Sequence, residues 1–164
     1  MKKLNRIFVV GHPASGKAYF GKYLAERLGY KFIDADIGLE LKIGLTIKEI
    51  LSQAGLKQYE STQEIIFDSL SKKSGIVVGL DCYLGNTPRI LEHLKNACVV
   101  FLQVTLQTQI RRGSNQYEPL TTEYNFEDML QSLHHERDNY YNQISDIVSY
   151  QLMMEMLINI LMLF

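Results

Sequence analysis

The apolar residues of this chain fall into two patterns, short continuous runs and longer segments with helical spacing. The first run, residues 7–10, is rich in β-branched residues, which is typical of a strand buried on both faces of a parallel sheet. Similar runs at 31–34, 75–79, 97–104 and 146–150 predict four more strands. Because segments with helical spacing separate the runs, we expect a doubly wound α/β fold with a five-stranded parallel sheet.

A helix is predicted directly after the first strand. Phe20, Leu24 and Leu28 recur at every fourth position after Gly16, and Gly29 follows as a helix terminator. A second helix is expected over residues 126–142. His134 and His135 lie within it, and because no second cluster with metal-ligand spacing accompanies them, we expect both to be solvated.

Composition narrows the class of protein. The chain has 164 residues, of which 46% are apolar and 21% charged, so one domain spanning 1–164 is expected. Lys and Arg number 17 against 18 Asp and Glu, and no basic run occurs, so nucleic acid is not an expected partner. Cys82 and Cys98 lack metal-ligand spacing, and the N-terminus lacks a signal peptide's apolar core, which predicts a cytoplasmic location.

The C-terminal segment 152–164 is dominated by Met and Leu. It is shorter than the roughly 20 apolar residues of a membrane span, so no membrane association is expected. Gln151, Glu155 and Asn159 would form one narrow polar stripe on a helix. Such a helix either packs on the core of a monomer or forms a homodimer contact, and both alternatives stay open.

The motif that carries chemistry lies between the first strand and the first helix. Its residues are Gly11, His12, Pro13, Ala14, Ser15, Gly16 and Lys17. In such a phosphate-binding loop the backbone N–H groups turn inward, the helix N-terminus adds partial positive charge, and the lysine bridges the outer phosphates. We therefore predict ATP or ADP binding at Gly11, Ala14, Ser15, Gly16, Lys17 and Ala18. The alternative is a glycine-rich turn with a solvated Lys17.

Position 18 departs from the full pattern of this loop. A Ser or Thr normally follows the lysine and ligates Mg²⁺, whereas Ala18 has no oxygen to offer. We expect Mg²⁺ to depend on other groups or to bind weakly.

Two carboxylates, Asp34 and Asp36, end the second predicted strand, at the edge where ligands bind in parallel sheets. With extended spacing both side chains would share one side, so that one holds Mg²⁺ through water and the other receives a hydroxyl proton. The alternative is that one of them caps a helix beginning near Ile37.

These motifs, taken in order, resemble those of the shikimate kinase family over about nine-tenths of the chain. The resemblance rests on Phe-Ile-Asp34-Ala-Asp36, on Gly44-Leu-Thr-Ile-Lys-Glu-Ile with Gly55, on Ile76-Val-Val-Gly79, on Arg111-Arg-Gly-Ser-Asn115 with Pro119-Leu120, and on Arg137 with Tyr141 and Ser145-Asp146. It implies a P-loop NTPase fold, a three-layer sandwich like that of nucleoside monophosphate kinases, with a small lid at about residues 112–124.

The resemblance also implies a role for individual residues in phosphoryl transfer from ATP to a hydroxyl of shikimate. Lys17 would hold the phosphates, and Asp34 would support Mg²⁺ through water. Asp36 would bind the accepting diol and take its proton. Arg111 would stack on adenine. Gly79 and Arg137 would contact the substrate, and Arg137 would pair with the carboxylate of the substrate. The alternatives are that Gly79 simply ends a strand and that Arg137 is a surface residue.

Several family positions are replaced where chemistry would be done. Glu60 stands in place of a carboxylate-binding arginine, which would repel an anionic substrate. A triple glycine is reduced to Gly79-Leu80-Asp81, so we expect a leucine side chain and a carboxylate to crowd the backbone N–H groups there. Glu118 replaces a lid arginine that would neutralise the transferring phosphoryl group. Two hypotheses follow: a kinase for shikimate or a related hydroxylated molecule with impaired activity, or an inactive nucleotide-binding relative that acts as a regulatory or interaction module.

Overall fold

The structure is a computed structural model, and it describes residues 4–35, 55–80, 84–113 and 126–150. Five strands form one parallel sheet in the order β2-β3-β1-β4-β5. They are β1 (Arg6–Val10), β2 (Lys31–Asp34), β3 (Ile76–Gly79), β4 (Cys98–Gln103) and β5 (Ile147–Tyr150). The predicted parallel α/β sheet is confirmed, and each predicted strand differs from the observed one by no more than one residue at either end.

The helices of the described residues connect these strands. They are α1 (Lys17–Leu28), α2 (Gly55–Ser71), α3 (Pro88–Lys95), α4 (Leu106–Gly113) and α5 (Phe126–Ile144). Gly29 ends α1 in a left-handed conformation, as predicted, and its N–H donates to carbonyls of the last turn. Thr87 caps α3 and Pro88 follows at its first position, which is a favourable start for a helix.

The inner strands β1, β3 and β4 bury both of their faces, because alternate side chains point to opposite sides of the sheet and helices cover each side. Phe8, Val78 and Val99 lie in the core under α2, α3 and α5, whereas Val9 and Val100 face α1. The thiol-bearing residue Cys98 belongs to the α1 side and is 4% exposed. Among the described residues, no helix is both long and apolar enough to cross a bilayer.

Candidate functional site

Three of the predicted site residues lie at the carboxyl edge of neighbouring strands. Gly11 follows β1, Asp34 ends β2 and Gly79 ends β3. Asp34 is in register with Gly79, which is in register with Val9. The sheet order therefore brings the loop after β1 and the Asp34 backbone to one edge, where open α/β sheets bind their ligands.

The loop between β1 and α1 is shaped by its backbone. Gly16 has φ 92° and Ala14 has φ 58°, so both adopt left-handed conformations, which is unusual for the alanine. The Ser15 N–H donates to the His12 carbonyl at 3.2 Å, closing a tight turn. No side chain caps the N-terminus of α1, whose cap residue is Gly16. The first N–H groups of α1 are consequently presented to a ligand rather than to a capping side chain.

Lys17 lies against the loop that it is predicted to serve. Its ammonium donates to the carbonyls of Gly11 at 2.8 Å and His12 at 3.0 Å. The buried hydroxyl oxygen of Ser15 has no hydrogen-bond partner among the described residues. The backbone N–H groups at the N-terminus of α1 and the Lys17 ammonium group form a donor set that fits the phosphates of a nucleotide.

The same edge fits Mg²⁺ only in part. Ala18 is exposed in the first turn of α1, at the position where a hydroxyl oxygen would serve as a ligand. Of the two predicted carboxylates, Asp34 is described and half-buried, and Asp36 lies outside the described residues. β2 ends at Asp34 and Ala35 is already helical, and the expected placement of both carboxylates on one side stays a prediction.

An apolar cluster supports the loop from behind. Ala14 packs with Phe126, Leu130 and Leu133 of α5, and Ile110 of α4 joins the cluster. Gly113 ends α4 directly against them: a β-carbon there would lie 2.3 Å from the Phe126 ring and 3.1 Å from the Ala14 methyl group. The methyl group of Ala14 thus contributes buried contacts at a backbone conformation that glycine would adopt more readily.

Polar residues that the sequence did not single out join the loop to α4 and α5. Asp138 accepts from His12 Nε2 at 2.6 Å and from His134 Nδ1 at 2.9 Å. His134 Nε2 lies 2.6 Å from Gln109 Oε1, and Gln109 Nε2 donates to the Pro13 carbonyl at 2.7 Å. We call these residues the loop strut: His12, Pro13, Gln109, His134 and Asp138.

The loop strut corrects the expectation that both histidines of α5 are solvated. His135 is exposed, but the His134 side chain is 19% exposed and hydrogen-bonded at both ring nitrogens. Its partner Gln109 lies 25 positions earlier in the sequence, so no local spacing revealed that contact. The signal available was His134 with Asp138 at i, i+4 on one helix face.

The donors and acceptors of the strut can be assigned by elimination. The Pro13 carbonyl only accepts, so the Gln109 amide nitrogen faces it and the amide oxygen faces His134. His12 is 1% exposed, and its burial lowers its pKa from 6.5 to about 4 against the opposing effect of Asp138. His12 is therefore neutral near pH 7 and donates through Nε2. The hydrogen bond from His12 and that from His134 help to lower the pKa of Asp138 although its burial acts the other way.

Arg137, the predicted carboxylate-binding residue, lies on α5 next to the segment after β3. Its guanidinium donates to the Leu84 carbonyl at 2.9 Å, and the Tyr140 hydroxyl donates to the Gly85 carbonyl at 2.8 Å. Burial raises the pKa of Tyr140 to about 12, while Arg137 lowers it and Glu60 raises it. The charges of Arg137 and Glu60 thus act on one hydroxyl group, with opposite signs.

The strand end at Gly79 has a structural use in addition to its predicted one. A β-carbon at Gly79 would lie 3.4 Å from the Phe32 ring, and one at Gly21 would lie 2.4 Å from it. Leu80 follows with its side chain buried in the core and its N–H donated to the Val9 carbonyl at 2.9 Å. The leucine side chain was expected to crowd this edge, but it is packed in the core instead. The Leu80 N–H is nevertheless unavailable to a ligand, because it already donates to the Val9 carbonyl.

Arg111 is exposed at the end of α4, and its predicted stacking on adenine stays a prediction. Its neighbour Arg112 reaches the loop instead: one guanidinium nitrogen lies 3.5 Å from the Ala14 carbonyl. Glu118, most of the predicted lid at 112–124 and the apolar segment 152–164 lie outside the described residues.

Comparisons with known proteins agree on one family. Residues 13–155 match the family model described as shikimate kinase. A shikimate kinase of Halorhodospira halophila is 32% identical over 146 residues, which are 88% of this chain and 82% of that protein. The structure of shikimate kinase from Acinetobacter baumannii in complex with shikimate has a TM-score of 0.78 at 28% identity and covers 90% of this chain and 84% of its own. That of shikimate kinase from Bacteroides thetaiotaomicron, at 20% identity, has a TM-score of 0.81 and covers 95% of both chains, which shows likeness of fold.

Proposed function

This chain belongs to the shikimate kinase family, and from that premise we propose how its own residues divide the work of moving a phosphoryl group from ATP to shikimate or a related hydroxylated molecule. Its function is of the ATP-dependent shikimate kinase type. The observation that carries the assignment of roles is the loop holding Lys17, which lies at the same carboxyl edge of the sheet as Asp34.

Nucleotide binding is assigned to the loop between β1 and α1. Gly11, Ala14, Ser15 and Gly16 would line the phosphates, and the Ser15 N–H and the Lys17 ammonium would exchange their loop carbonyl partners for phosphate oxygens. Arg111 covers the adenine face. In this reaction the catalytic contribution of the protein is positioning and charge stabilisation rather than covalent chemistry.

Mg²⁺, when bound, would neutralise charge on the outer phosphates. Asp34 would hold it through water, and Ala18 contributes nothing, so we expect the ion to bind less tightly than in a protein with a hydroxyl at that position. Asp36 would orient the accepting hydroxyl and take its proton.

Substrate binding is assigned to the region where α5 faces the segment after β3. Arg137 would pair with the substrate carboxylate, next to the backbone of Gly79. Glu60 opposes it, because its charge acts on the same hydroxyl group of Tyr140 with the opposite sign. A charge-assisted hydrogen bond to a carboxylate is worth about 1.5–3 kcal/mol, and Glu60 replaces one such donor by a repelling group.

We therefore propose impaired activity toward shikimate, with affinity lower by roughly tenfold to a hundredfold than in a relative with arginine at position 60. The second candidate, a nucleotide-binding regulatory or interaction module, is favoured by the combination of Ala18 with Glu60. We also propose a cytoplasmic location, with a small-molecule substrate as the partner and either a monomer or a homodimer through 152–164 as the assembly.

Two measurements test this function. A coupled assay of ADP release with and without shikimate separates the candidates, since only the kinase releases ADP in a shikimate-dependent way. Calorimetric titration with shikimate tests the role of position 60. Glu60→Arg is expected to bind about tenfold or more tightly than the unmodified protein, and Glu60→Gln to lie between them, because it relieves only the repulsion.

The matched control is Glu64→Gln, one helical turn further along α2, where the carboxylate accepts from the Thr87 hydroxyl at 2.5 Å instead of facing Tyr140. It should leave shikimate affinity unchanged. Equal affinity of the unmodified protein and Glu60→Arg would place position 60 outside the substrate pocket.

A further inference from the structure

The loop strut brings three metal-ligating side chains together on the inner side of the phosphate-binding loop. One ring nitrogen of His12, one ring nitrogen of His134 and a carboxylate oxygen of Asp138 all lie within 4.8 Å of one another. We propose that these three residues form a binding site for a late first-row divalent cation of the Zn²⁺ or Co²⁺ class, separate from the Mg²⁺ that accompanies the nucleotide.

The spacing of the ligand atoms suits such an ion. Zn²⁺ binds imidazole nitrogen and carboxylate oxygen at about 2.0–2.2 Å, so neighbouring ligand atoms in a tetrahedral site lie about 3.3 Å apart. In the strut, Asp138 Oδ1 lies 2.6 Å from His12 Nε2, and Asp138 Oδ2 lies 2.9 Å from His134 Nδ1. Replacing these hydrogen bonds by metal bonds requires each pair to separate by less than about 1 Å.

The groups around His134 also match a metal site, whereas His12 Nδ1 is buried and has no hydrogen-bond partner among the described residues. A ligating histidine usually donates its other ring N–H to a carbonyl, which fixes the ring orientation. His134 Nε2 has that partner in Gln109 Oε1 at 2.6 Å, and the Gln109 amide is itself held by the Pro13 carbonyl at 2.7 Å. Gln109 is fully buried, so this support is rigid.

A cavity lined by two of the three ligands offers a route to the site. His134 and Asp138 line a cavity of about 430 Å³ together with Gln131, Thr105 and Tyr150. The side chains of His134 and Asp138 are 19% and 31% exposed, whereas that of His12 is 2% exposed. An ion would enter from this cavity, and a water molecule there would complete the coordination of a three-ligand site.

The donor set also decides which ions are excluded. Two imidazoles and one carboxylate suit Zn²⁺, Co²⁺ and Ni²⁺, while Mg²⁺ and Ca²⁺ prefer oxygen ligands alone. A cation bound here would restrain His12, whose carbonyl accepts from the Lys17 ammonium. It would therefore hold the His12 backbone of the phosphate-binding loop in place without contacting the nucleotide.

Titration of the full chain with Co²⁺ tests the proposal, because the visible absorption of Co²⁺ reports a four- or five-coordinate nitrogen and oxygen site directly. We expect saturation with one ion per chain, displacement by Zn²⁺ and no displacement by excess Mg²⁺. His134→Gln and Asp138→Asn should abolish the absorption. Gln109→Met, which removes the support of His134 and the hydrogen bond to the Pro13 carbonyl but none of the three ligands, should weaken binding by about 10- to 100-fold.

Two control variants remove histidines that the strut does not use. His135→Gln removes the exposed neighbour on α5, and His93→Gln removes the surface partner of Asp68 at 2.9 Å. Both should bind Co²⁺ as the unmodified protein does, and circular dichroism checks that every variant is folded. Absence of binding by the unmodified protein, or equal binding by His134→Gln, would overturn the proposal and leave the strut as a set of hydrogen bonds only.

Discussion

At the scale of single residues, the most unusual group is His12, a neutral histidine within a phosphate-binding loop. Burial lowers its pKa from 6.5 to about 4, so between these values the unfolded chain takes up a proton that the folded chain does not. The free energy of unfolding therefore falls as the pH decreases through this window and becomes independent of His12 below about 4. The depressed pKa of Asp138 adds to the acid sensitivity at still lower pH, below the ordinary value of 3.8.

We predict that the His12 contribution amounts to roughly 3 kcal/mol of stability lost between pH 6.5 and 4. Urea unfolding across this range, with a chelator present, measures it. His12→Gln keeps a donor toward Asp138 but does not titrate, so its stability should change less over the same window. His135→Gln, which removes an exposed histidine, should retain the full pH dependence; parallel profiles for His12→Gln and the unmodified protein would contradict the assignment.

Ala18 stands at the position where a hydroxyl oxygen would serve as a Mg²⁺ ligand. It is exposed in the first turn of α1, so adding one hydroxyl there disturbs no packing. Ala18→Ser should increase the extent to which Mg²⁺ strengthens nucleotide binding, because serine supplies the missing oxygen ligand. Calorimetric titration with ADP, with and without Mg²⁺, measures the change. Tyr19→Ser is the control, since Tyr19 is 70% exposed and adjacent. An equal Mg²⁺ effect in the unmodified protein and Ala18→Ser would show that position 18 does not face the ion.

At the scale of elements, the packing of α1 on the sheet depends on one aromatic ring between two glycines. The Phe32 ring of β2 lies against Gly21 of α1 and Gly79 of β3. Asp34 is two residues after Phe32, so the position of this ring also sets the distance between the β2 carboxylate and the loop that precedes α1. The placement of Asp34 relative to the loop therefore depends on the close approach of α1 to the sheet at Gly21.

A double-mutant cycle tests this packing. In the unmodified protein, Gly21→Ala places a methyl group 2.4 Å from the ring and costs about 1–3 kcal/mol of overpacking, which offsets the gain of about 1 kcal/mol in helix propensity. With Phe32→Leu in the background the clash is relieved and only the propensity gain remains. We predict a coupling of about 1–3 kcal/mol between the two positions from chemical denaturation. Additive effects would show that the ring has room to move.

At the scale of the whole molecule, nucleotide binding should stabilise the fold, because the loop connects β1 and α1 with α4 and α5 through the strut. At about 100 times its Kd, ADP should add about 2.7 kcal/mol, or roughly 5–10 °C in Tm for a chain of this length. Lys17→Ala should lose most of this shift, and Lys22→Ala, on the same helix, should keep it. If millimolar ADP stabilises neither the unmodified protein nor Lys22→Ala, the nucleotide site is wrong.

The inner strands β1, β3 and β4 were predictable from sequence because each contains a continuous apolar run that is buried on both faces. The loop was predictable because its residues are adjacent in sequence. The strut was not, since Gln109 and His134 lie 25 positions apart and meet only through the packing of α4 on α5. Glu60 and Arg137 were paired through the family resemblance, because charges on different helices leave no local pattern.

Cys98 in β4 is 4% exposed, so the reactivity of its thiol reports how often the structure around it opens. A buried thiol at the first residue of an inner strand reacts with an alkylating reagent only when the structure around it opens, so in a Cys82→Ser background the labelling rate reports the frequency of that opening. If opening is global, nucleotide that stabilises the folded chain slows labelling by the same factor by which it shifts the unfolding equilibrium. If labelling instead ignores the nucleotide, β4 opens separately from the loop beside β1, and the sheet is divided into independently opening parts.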